Sequence, residues 1–128
     1  MIIGVGTDLC QVQRMAQLLD DSTFLRRYFE QAEQAYILAR GAFAAQSMAG
    51  HFAAKEAFVK ALGTGFDGIR PEDIVIAHKP GGAPYYDLRQ SALDAARLAG
   101  VRRAHLSITH DGGLAGAFCI LEGECTPL

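Results

Sequence analysis

Hydrophobic and polar positions alternate strictly at the start of the chain. This period of two predicts a strand over residues 2–9, because successive side chains of a strand point to opposite faces. One predicted face carries Ile3, Val5, Thr7 and Leu9, and the other carries Gly4, Gly6 and Asp8. Since glycine has no side chain, a ligand or a helix can approach the backbone closely on the second face.

Further along, the apolar positions change to helical spacing. Val12, Met15, Leu18 and Leu19 predict a helix from Gln11 to about Leu19. A helical region is predicted next, from about Phe24 to Arg40. The alanine-rich stretch 42–62 predicts a long helix, which ends where Gly63 supplies the left-handed backbone conformation.

The pattern of strand and turn residues in the second half of the chain predicts two β-hairpins. Residues 73–77 and 83–86 flank a Lys-Pro-Gly-Gly turn, a short helix is expected near 90–99, and strands are expected at 103–110 and 114–122. We therefore predict one α+β domain over residues 1–128, with a largely antiparallel sheet and a long central helix.

Composition narrows the possible functions. The 128 residues include 12 Lys and Arg against 14 Asp and Glu, so the chain has no overall basic character of the kind that nucleic-acid binding requires. No apolar run approaches the roughly 18 residues of a spanning helix, and no membrane association is expected. Cys10, Cys119 and Cys125 form no metal-binding spacing, which favours free thiols and a cytoplasmic location.

Two acidic residues could carry chemistry. Asp8 ends the glycine-cleared strand, where it could either bind a ligand or cap the next helix. Glu56 lies four residues before Lys60 on one face of the long helix, a spacing also typical of a surface ion pair. Gly63, Thr64 and Gly65 follow within one turn, and exposed backbone there could approach a phosphate.

Two further groups of residues could have either a functional or a structural role. His110 ends the segment Leu-Ser-Ile-Thr-His-Asp beside a Gly-Gly turn, where it could transfer protons or simply lie at the surface. His51, His78 and His105 have no such context, and we expect them to be structural. Arg14, Arg26 and Arg27 stand among apolar residues, as in a docking surface or in any solvated helix face.

Residues 63–68 satisfy the dinucleotide-binding pattern G-x-G-x-x-G, but they follow a predicted helix instead of a strand, so the match is accidental. No P-loop or zincin motif occurs in the sequence.

Three segments, IIGVGTDL with Arg14 behind it, HFAAKEAFVKALGTG and LSITHD, together resemble the holo-acyl carrier protein synthases of the 4'-phosphopantetheinyl transferase superfamily. The resemblance implies the fold of the 4'-phosphopantetheinyl transferases. It also implies transfer of phosphopantetheine from coenzyme A to a serine of an apo-acyl carrier protein, with release of adenosine 3',5'-bisphosphate, in support of fatty acid biosynthesis.

The resemblance also implies roles for individual residues. Asp8 and Glu56 match the family's Mg²⁺ ligands, and two carboxylates with pyrophosphate oxygens form a set that Mg²⁺ prefers. Lys60 matches a catalytic lysine that faces the same anion. The expected coenzyme A contacts are Phe52, Lys60, Gly63, Thr64, Gly65 and Thr109. Arg14 and Arg27 match a basic surface that docks the acidic carrier protein.

The base that accepts the serine proton could be His110, Asp111 or a metal-bound water, and we favour His110. The sequence departs from the family at His51, where members often have arginine, and at Ala44, Ala45 and Gln46, where a basic pair is common. Both differences affect contacts to the nucleotide end of coenzyme A. Family members commonly form trimers with coenzyme A between adjacent subunits, so a homotrimer is expected.

Two other classes of function compete with the transferase. A Mg²⁺-dependent hydrolase of nucleotide or coenzyme A pyrophosphates would use Asp8, Glu56 and Lys60 with a positioned water. A non-catalytic binding module for carrier protein or coenzyme A is less favoured, because a pure binder has no need of metal ligands.

Overall fold

A computed structural model of the chain describes residues 1–124; Cys125 lies outside the described residues. The first half of the fold is one strand followed by four helices. They are β1 (Ile2–Gln11), α1 (Val12–Ala16), α2 (Ser22–Tyr28), α3 (Gln31–Leu38) and α4 (Ala44–Leu62). The second half is a hairpin, a helix and a second hairpin: β2 (Ile74–His78), β3 (Pro84–Leu88), α5 (Gln90–Leu98), β4 (Val101–Asp111) and β5 (Leu114–Gly123).

All strand pairs described are antiparallel, and they form two sheets. The larger sheet has the order β1-β5-β4, and the smaller one pairs β2 with β3. In the larger sheet Thr7 lies opposite Phe118, which in turn lies opposite Ser107. The predicted α+β class, the hairpins and the long helix are therefore confirmed.

Helix α4 packs across one face of the large sheet, and two glycines of β1 permit its close approach. A Cβ atom at Gly4 would collide with the carbonyl oxygen of Ala61, and one at Gly6 would collide with that of Ala57. The face that the sequence leaves free of side chains is therefore covered by a helix backbone. Because the helix lies so close, the Lys60 side chain near its C-terminal end reaches Asp8, three residues before the end of β1.

The prediction of one continuous helical region from Phe24 to Arg40 is wrong, because two helices occupy it. Phe29 and Glu30 are extended and separate α2 from α3. The Glu30 side chain accepts a hydrogen bond from the Ala32 N–H, and the Glu33 side chain accepts one from the Glu30 N–H. This reciprocal cap starts a new helix at Gln31, which the hydrophobic spacing does not reveal. Helix α1 also ends at Ala16, three residues before the predicted end.

The hydrophobic core lies between α4 and the two sheets. Its fully buried members include Met48 and Phe58 from α4, Ile74 from β2 and Leu121 from β5. Among residues 1–124, no helix is long and apolar enough to cross a membrane.

Candidate active site

Asp8 and Lys60 meet at the point where β1 passes the last turn of α4. The Lys60 ammonium donates to Asp8 Oδ1 at 3.0 Å and to the Thr7 carbonyl oxygen at 3.1 Å. Asp8 does not cap the following helix, because the N-cap residue of α1 is Gln11 and no side chain bonds to that helix end. The capping alternative for Asp8 is therefore wrong.

Glu56 lies one turn before Lys60 on α4, and its carboxylate accepts a hydrogen bond from a residue of α2. The Tyr28 hydroxyl donates to Glu56 Oε1 at 2.8 Å. Lys60, four residues on, is bound to Asp8, so the alternative of a Glu56–Lys60 surface pair is wrong. The role of Tyr28 is not predictable from the sequence, since 28 residues separate it from Glu56 and no spacing rule links the two.

An aromatic cluster supports this hydrogen bond. The Tyr28 ring stacks on Phe52 with 4.9 Å between centroids and on Phe24 with 5.2 Å, and it meets Phe66 edge-on. Burial, followed by the hydrogen bond to Glu56, raises the pKa of Tyr28 well above its usual value. The phenol therefore stays protonated, and so remains a donor to the carboxylate, at any physiological pH.

The two carboxylates suit a hard cation that also binds a substrate. Asp8 Oδ1 and Glu56 Oε1 are occupied by Lys60 and Tyr28, while no other side chain among residues 1–124 bonds to either carboxylate. The second oxygen of each group is therefore free. No cluster of three or more His, Cys, Asp or Glu side chains that could hold a metal occurs in the described part of the chain. Mg²⁺ commonly takes one or two carboxylates and completes its shell with water and substrate phosphates, so the residues present fit that ion.

The loop after α4 lies beside Lys60 and is exposed. Gly63 has φ 80° and ends the helix, with its N–H bonded to the carbonyl oxygens of Val59 and Lys60. No atom lies within 4 Å of a Cβ atom built at Gly63 or Gly65. The Thr64 hydroxyl donates to the Gly65 carbonyl oxygen. A ligand can therefore reach this loop backbone from solvent.

His110 lies elsewhere within the protomer. Its Nε2 is 3.2 Å from the Gln46 carbonyl oxygen, near the start of α4. Gln46 precedes Glu56 by ten residues, which is about 15 Å along a helix axis. A single protomer therefore does not bring His110 to the carboxylates.

Thr109 and Asp111 are also separated from the carboxylate pair. Thr109 faces the uncovered side of the large sheet, beside Leu9 and Gly116. Asp111 is exposed at the end of β4, beside the turn that leads into β5. His110, in contrast, points to the opposite face of β4 and lies beside Gly50 of α4.

The two predicted docking residues are exposed on consecutive helices. The Arg14 guanidinium lies 5.0 Å above the centroid of the Phe52 ring, which connects α1 to the aromatic cluster. Arg27 lies in the last turn of α2, the helix that also carries Tyr28. Arg14 therefore lies beside the cluster that holds Tyr28, and Arg27 lies on the helix that carries Tyr28.

Comparisons with known proteins support the resemblance along the chain. The sequence profile of the 4'-phosphopantetheinyl transferase superfamily matches residues 4–119. A holo-(acyl-carrier-protein) synthase of Treponema denticola is 44% identical over 123 residues, covering 96% of this chain and 100% of the relative.

Two solved structures have the same fold. The holo-(acyl-carrier-protein) synthase of Neisseria meningitidis has a TM-score of 0.86 at 30% identity, covering 95% of this chain and 99% of that chain. The enzyme of Bacillus anthracis, solved in complex with CoA (3',5'-ADP), has a TM-score of 0.79 at 30% identity, covering 97% and 99%. The chain therefore belongs to the 4'-phosphopantetheinyl transferase superfamily and, within it, to the holo-(acyl-carrier-protein) synthases.

Proposed function

We propose that this protein transfers 4'-phosphopantetheine from coenzyme A to a serine of an apo-acyl carrier protein, in the cytoplasm and in support of fatty acid biosynthesis. The observation that carries the proposal is the convergence of Asp8, Glu56 and Lys60 beside the open loop 63–65, in a chain of this family. A metal site, an ammonium and accessible backbone together suit a pyrophosphate.

Asp8 and Glu56 would hold Mg²⁺ through their free oxygens. When bound, this ion neutralises the pyrophosphate and stabilises the charge that develops at phosphorus during transfer. Lys60 keeps Asp8 in place and presents its one remaining ammonium hydrogen to the same anion. Tyr28 fixes the orientation of Glu56.

Coenzyme A would enter across the loop after α4. The exposed backbone at Gly63, Thr64 and Gly65 accommodates its pyrophosphate end, while Phe52 lies in the apolar wall near Glu56. In the reaction, the serine oxygen bonds to the phosphorus that bears pantetheine, and the bond from that phosphorus to the bridging oxygen breaks. Adenosine 3',5'-bisphosphate leaves with that oxygen, and the serine proton passes to a base.

His110 is the base we favour, and its position implies that a second copy of the chain supplies it. The uncovered side of the large sheet is apolar and exposed: Val5 is 53% exposed, Leu9 is 68% exposed and Phe118 is 45% exposed. An exposed apolar surface of this kind supports self-association. We therefore propose that the chain forms the homotrimer expected from the family. Thr109 lies on this face, so it would contact coenzyme A held between adjacent copies.

The carrier protein would dock on α1 and α2. Arg14 and Arg27 present positive charge on these two helices, and acyl carrier proteins are acidic. The charges would steer the partner and orient its serine towards the site.

One assay tests the transfer. The protein is incubated with apo-acyl carrier protein, coenzyme A and Mg²⁺, and the carrier protein is weighed by mass spectrometry. We expect the mass of one phosphopantetheine group to be added, and we expect chelation of Mg²⁺ to prevent it. Consumption of coenzyme A with no adduct would contradict the proposal and favour the hydrolase.

A further inference from the structure

The Lys60 ammonium occupies oxygen atoms that a metal ion could also use. It donates to Asp8 Oδ1 at 3.0 Å and to the Thr7 carbonyl oxygen at 3.1 Å, two acceptors from adjacent residues of β1. Hard divalent cations such as Mg²⁺ bind carboxylate and carbonyl oxygens as well. Lys60 is therefore in competition with such an ion for Asp8.

The surroundings of Lys60 are otherwise negative. Asp8 and Glu56 are both carboxylates, and Lys60 lies in the last turn of α4, where the helix dipole places partial negative charge. Among residues 1–124, Lys60 is the one positively charged side chain that bonds to either carboxylate. Its charge therefore balances one of the two negative charges of the candidate metal site.

An ammonium in this position opposes a divalent cation that arrives alone. The cation is repelled by the charge of Lys60 and finds Asp8 already paired. Because the Lys60 side chain is 56% exposed, water screens part of this repulsion. An effect of about tenfold or more on the affinity for the cation remains, since charges a few ångströms apart interact strongly near a protein surface.

Lys60 can exchange its acceptors, whereas Lys55, the other lysine of α4, cannot. The Lys55 ammonium is fully buried and donates to Glu33 and to the carbonyl oxygens of Pro71 and Ile74, which uses all three of its hydrogens. Lys60 uses two of its three hydrogens and is more than half exposed. It can therefore accept a new negatively charged partner from solvent.

An anion at the loop after α4 would be such a partner. The loop begins three residues after Lys60, and no atom lies within 4 Å of a Cβ atom built at Gly63 or Gly65. The oxygens of a pyrophosphate on this loop attract both the ammonium and a divalent cation. As the ammonium bonds to these oxygens, its bond to Asp8 weakens and the metal site becomes more negative.

We propose that Lys60 keeps the affinity of the free protein for divalent cations low, and that the pyrophosphate of coenzyme A relieves this restraint by weakening the bond of the ammonium to Asp8. The cation and coenzyme A then bind cooperatively, and each raises the affinity for the other by the same factor. The inference rests on the proposed metal site and on coenzyme A as a ligand. It does not depend on transfer to the carrier protein.

Binding of Mn²⁺ in the absence of coenzyme A tests the restraint. Mn²⁺ takes the same oxygen ligands as Mg²⁺, and electron paramagnetic resonance measures its free concentration. We expect Lys60→Met to bind Mn²⁺ about tenfold more tightly than the unmodified protein, and Lys60→Arg, which keeps the charge, to bind it weakly. Lys79→Met is the matched control, because it removes the same charge from an exposed position after β2 and should change nothing.

The same titration at saturating coenzyme A tests the coupling, with a protein-free blank to correct for Mn²⁺ bound by coenzyme A itself. We expect coenzyme A to raise the Mn²⁺ affinity of the unmodified protein by a factor about ten times larger than in Lys60→Met. Circular dichroism verifies the fold of each variant. The titrations of the unmodified protein need no variant to fold.

Two results would overturn the proposal. One is an equal or weaker Mn²⁺ affinity in folded Lys60→Met, which would mean that Lys60 serves to orient Asp8 for the ion. The other is a Mn²⁺ affinity of the unmodified protein that coenzyme A does not change. If the affinities are as expected but no phosphopantetheine reaches the carrier protein, the proposed transfer fails and this inference stands.

Discussion

Tyr28 donates its hydroxyl hydrogen to Glu56 Oε1 at 2.8 Å and so joins α2 to the carboxylate site on α4. The phenol lies in an aromatic cluster that fixes its ring, and the bond leaves the second carboxylate oxygen free. Partners of this kind orient metal ligands, and their loss commonly costs about 10-fold to 100-fold in metal affinity or activity.

We therefore expect Tyr28→Phe to raise the Mg²⁺ concentration needed for half-maximal transfer by about tenfold. The ring remains, so the aromatic packing and the unfolding transition should change little. Calorimetric titration of Mg²⁺ into the complex with coenzyme A measures the same loss directly. Tyr85→Phe is the control, because Tyr85 is exposed on β3. Equal Mg²⁺ affinity in the two variants would exclude a positioning role for Tyr28.

The closeness of α4 to β1 can be tested at Gly6. A Cβ atom there would collide with the Ala57 carbonyl oxygen, and backbone cannot move aside as a flexible side chain can. We expect Gly6→Ala to lower the free energy of unfolding by about 3 kcal/mol or more, measured by chemical denaturation. Gly81→Ala is the control, since a Cβ atom there has no neighbour within 4 Å. Equal stability in the two variants would show that the helix does not depend on this contact.

The close contact of β1 with α4 and the Tyr28–Glu56 hydrogen bond differ in how far the sequence predicts them. Alternation along β1 predicts the glycine face and the position of Asp8, because strand periodicity depends on neighbours alone. Local spacing likewise predicts α4 and its end at Gly63. The Tyr28–Glu56 bond is not predictable in this way, because it depends on how α2 packs against α4.

The same limit explains two other differences between prediction and structure. The break at Phe29 and Glu30 arises from a hydrogen-bonded cap, which overrides an unbroken helical pattern. His51 and His78 lack any local signal, yet the fold brings them into contact with each other and His51 into contact with Glu33. His110 matches the family motif, but its distance from Glu56 becomes evident only when the helix between them is measured.

Carrier-protein docking can be tested at Arg27, which is exposed and whose removal leaves the aromatic cluster intact. We expect Arg27→Ala to raise the KM for the carrier protein several-fold at low salt with little change in kcat. The difference should largely vanish at about 0.5 M salt, where exposed charges are screened. Arg97→Ala removes the same charge from α5 and serves as the control. A KM that does not change in Arg27→Ala at low salt would remove this residue from the docking surface.

Completion of the site by a second copy can be tested by mixing inactive variants. We expect Glu56→Gln and His110→Ala to be inactive alone. When the two chains are co-expressed and assemble at random, about a quarter of the interfaces should contain both intact residues and restore that share of activity. A mixture of Glu56→Gln with Asp8→Asn is the control, because both changes lie in the same half of the site. No recovery in the first mixture would contradict a shared site.

The claim that matters most is that Asp8 and Glu56 together hold the Mg²⁺ ion used in transfer. The most direct measurement is the rate of phosphopantetheine transfer as a function of Mg²⁺ concentration in the unmodified protein and in Glu56→Gln, with the fold of each checked by circular dichroism. We predict Mg²⁺-dependent transfer by the unmodified protein and no transfer by the folded Glu56→Gln variant. Transfer by Glu56→Gln with an unchanged dependence on Mg²⁺ would contradict it.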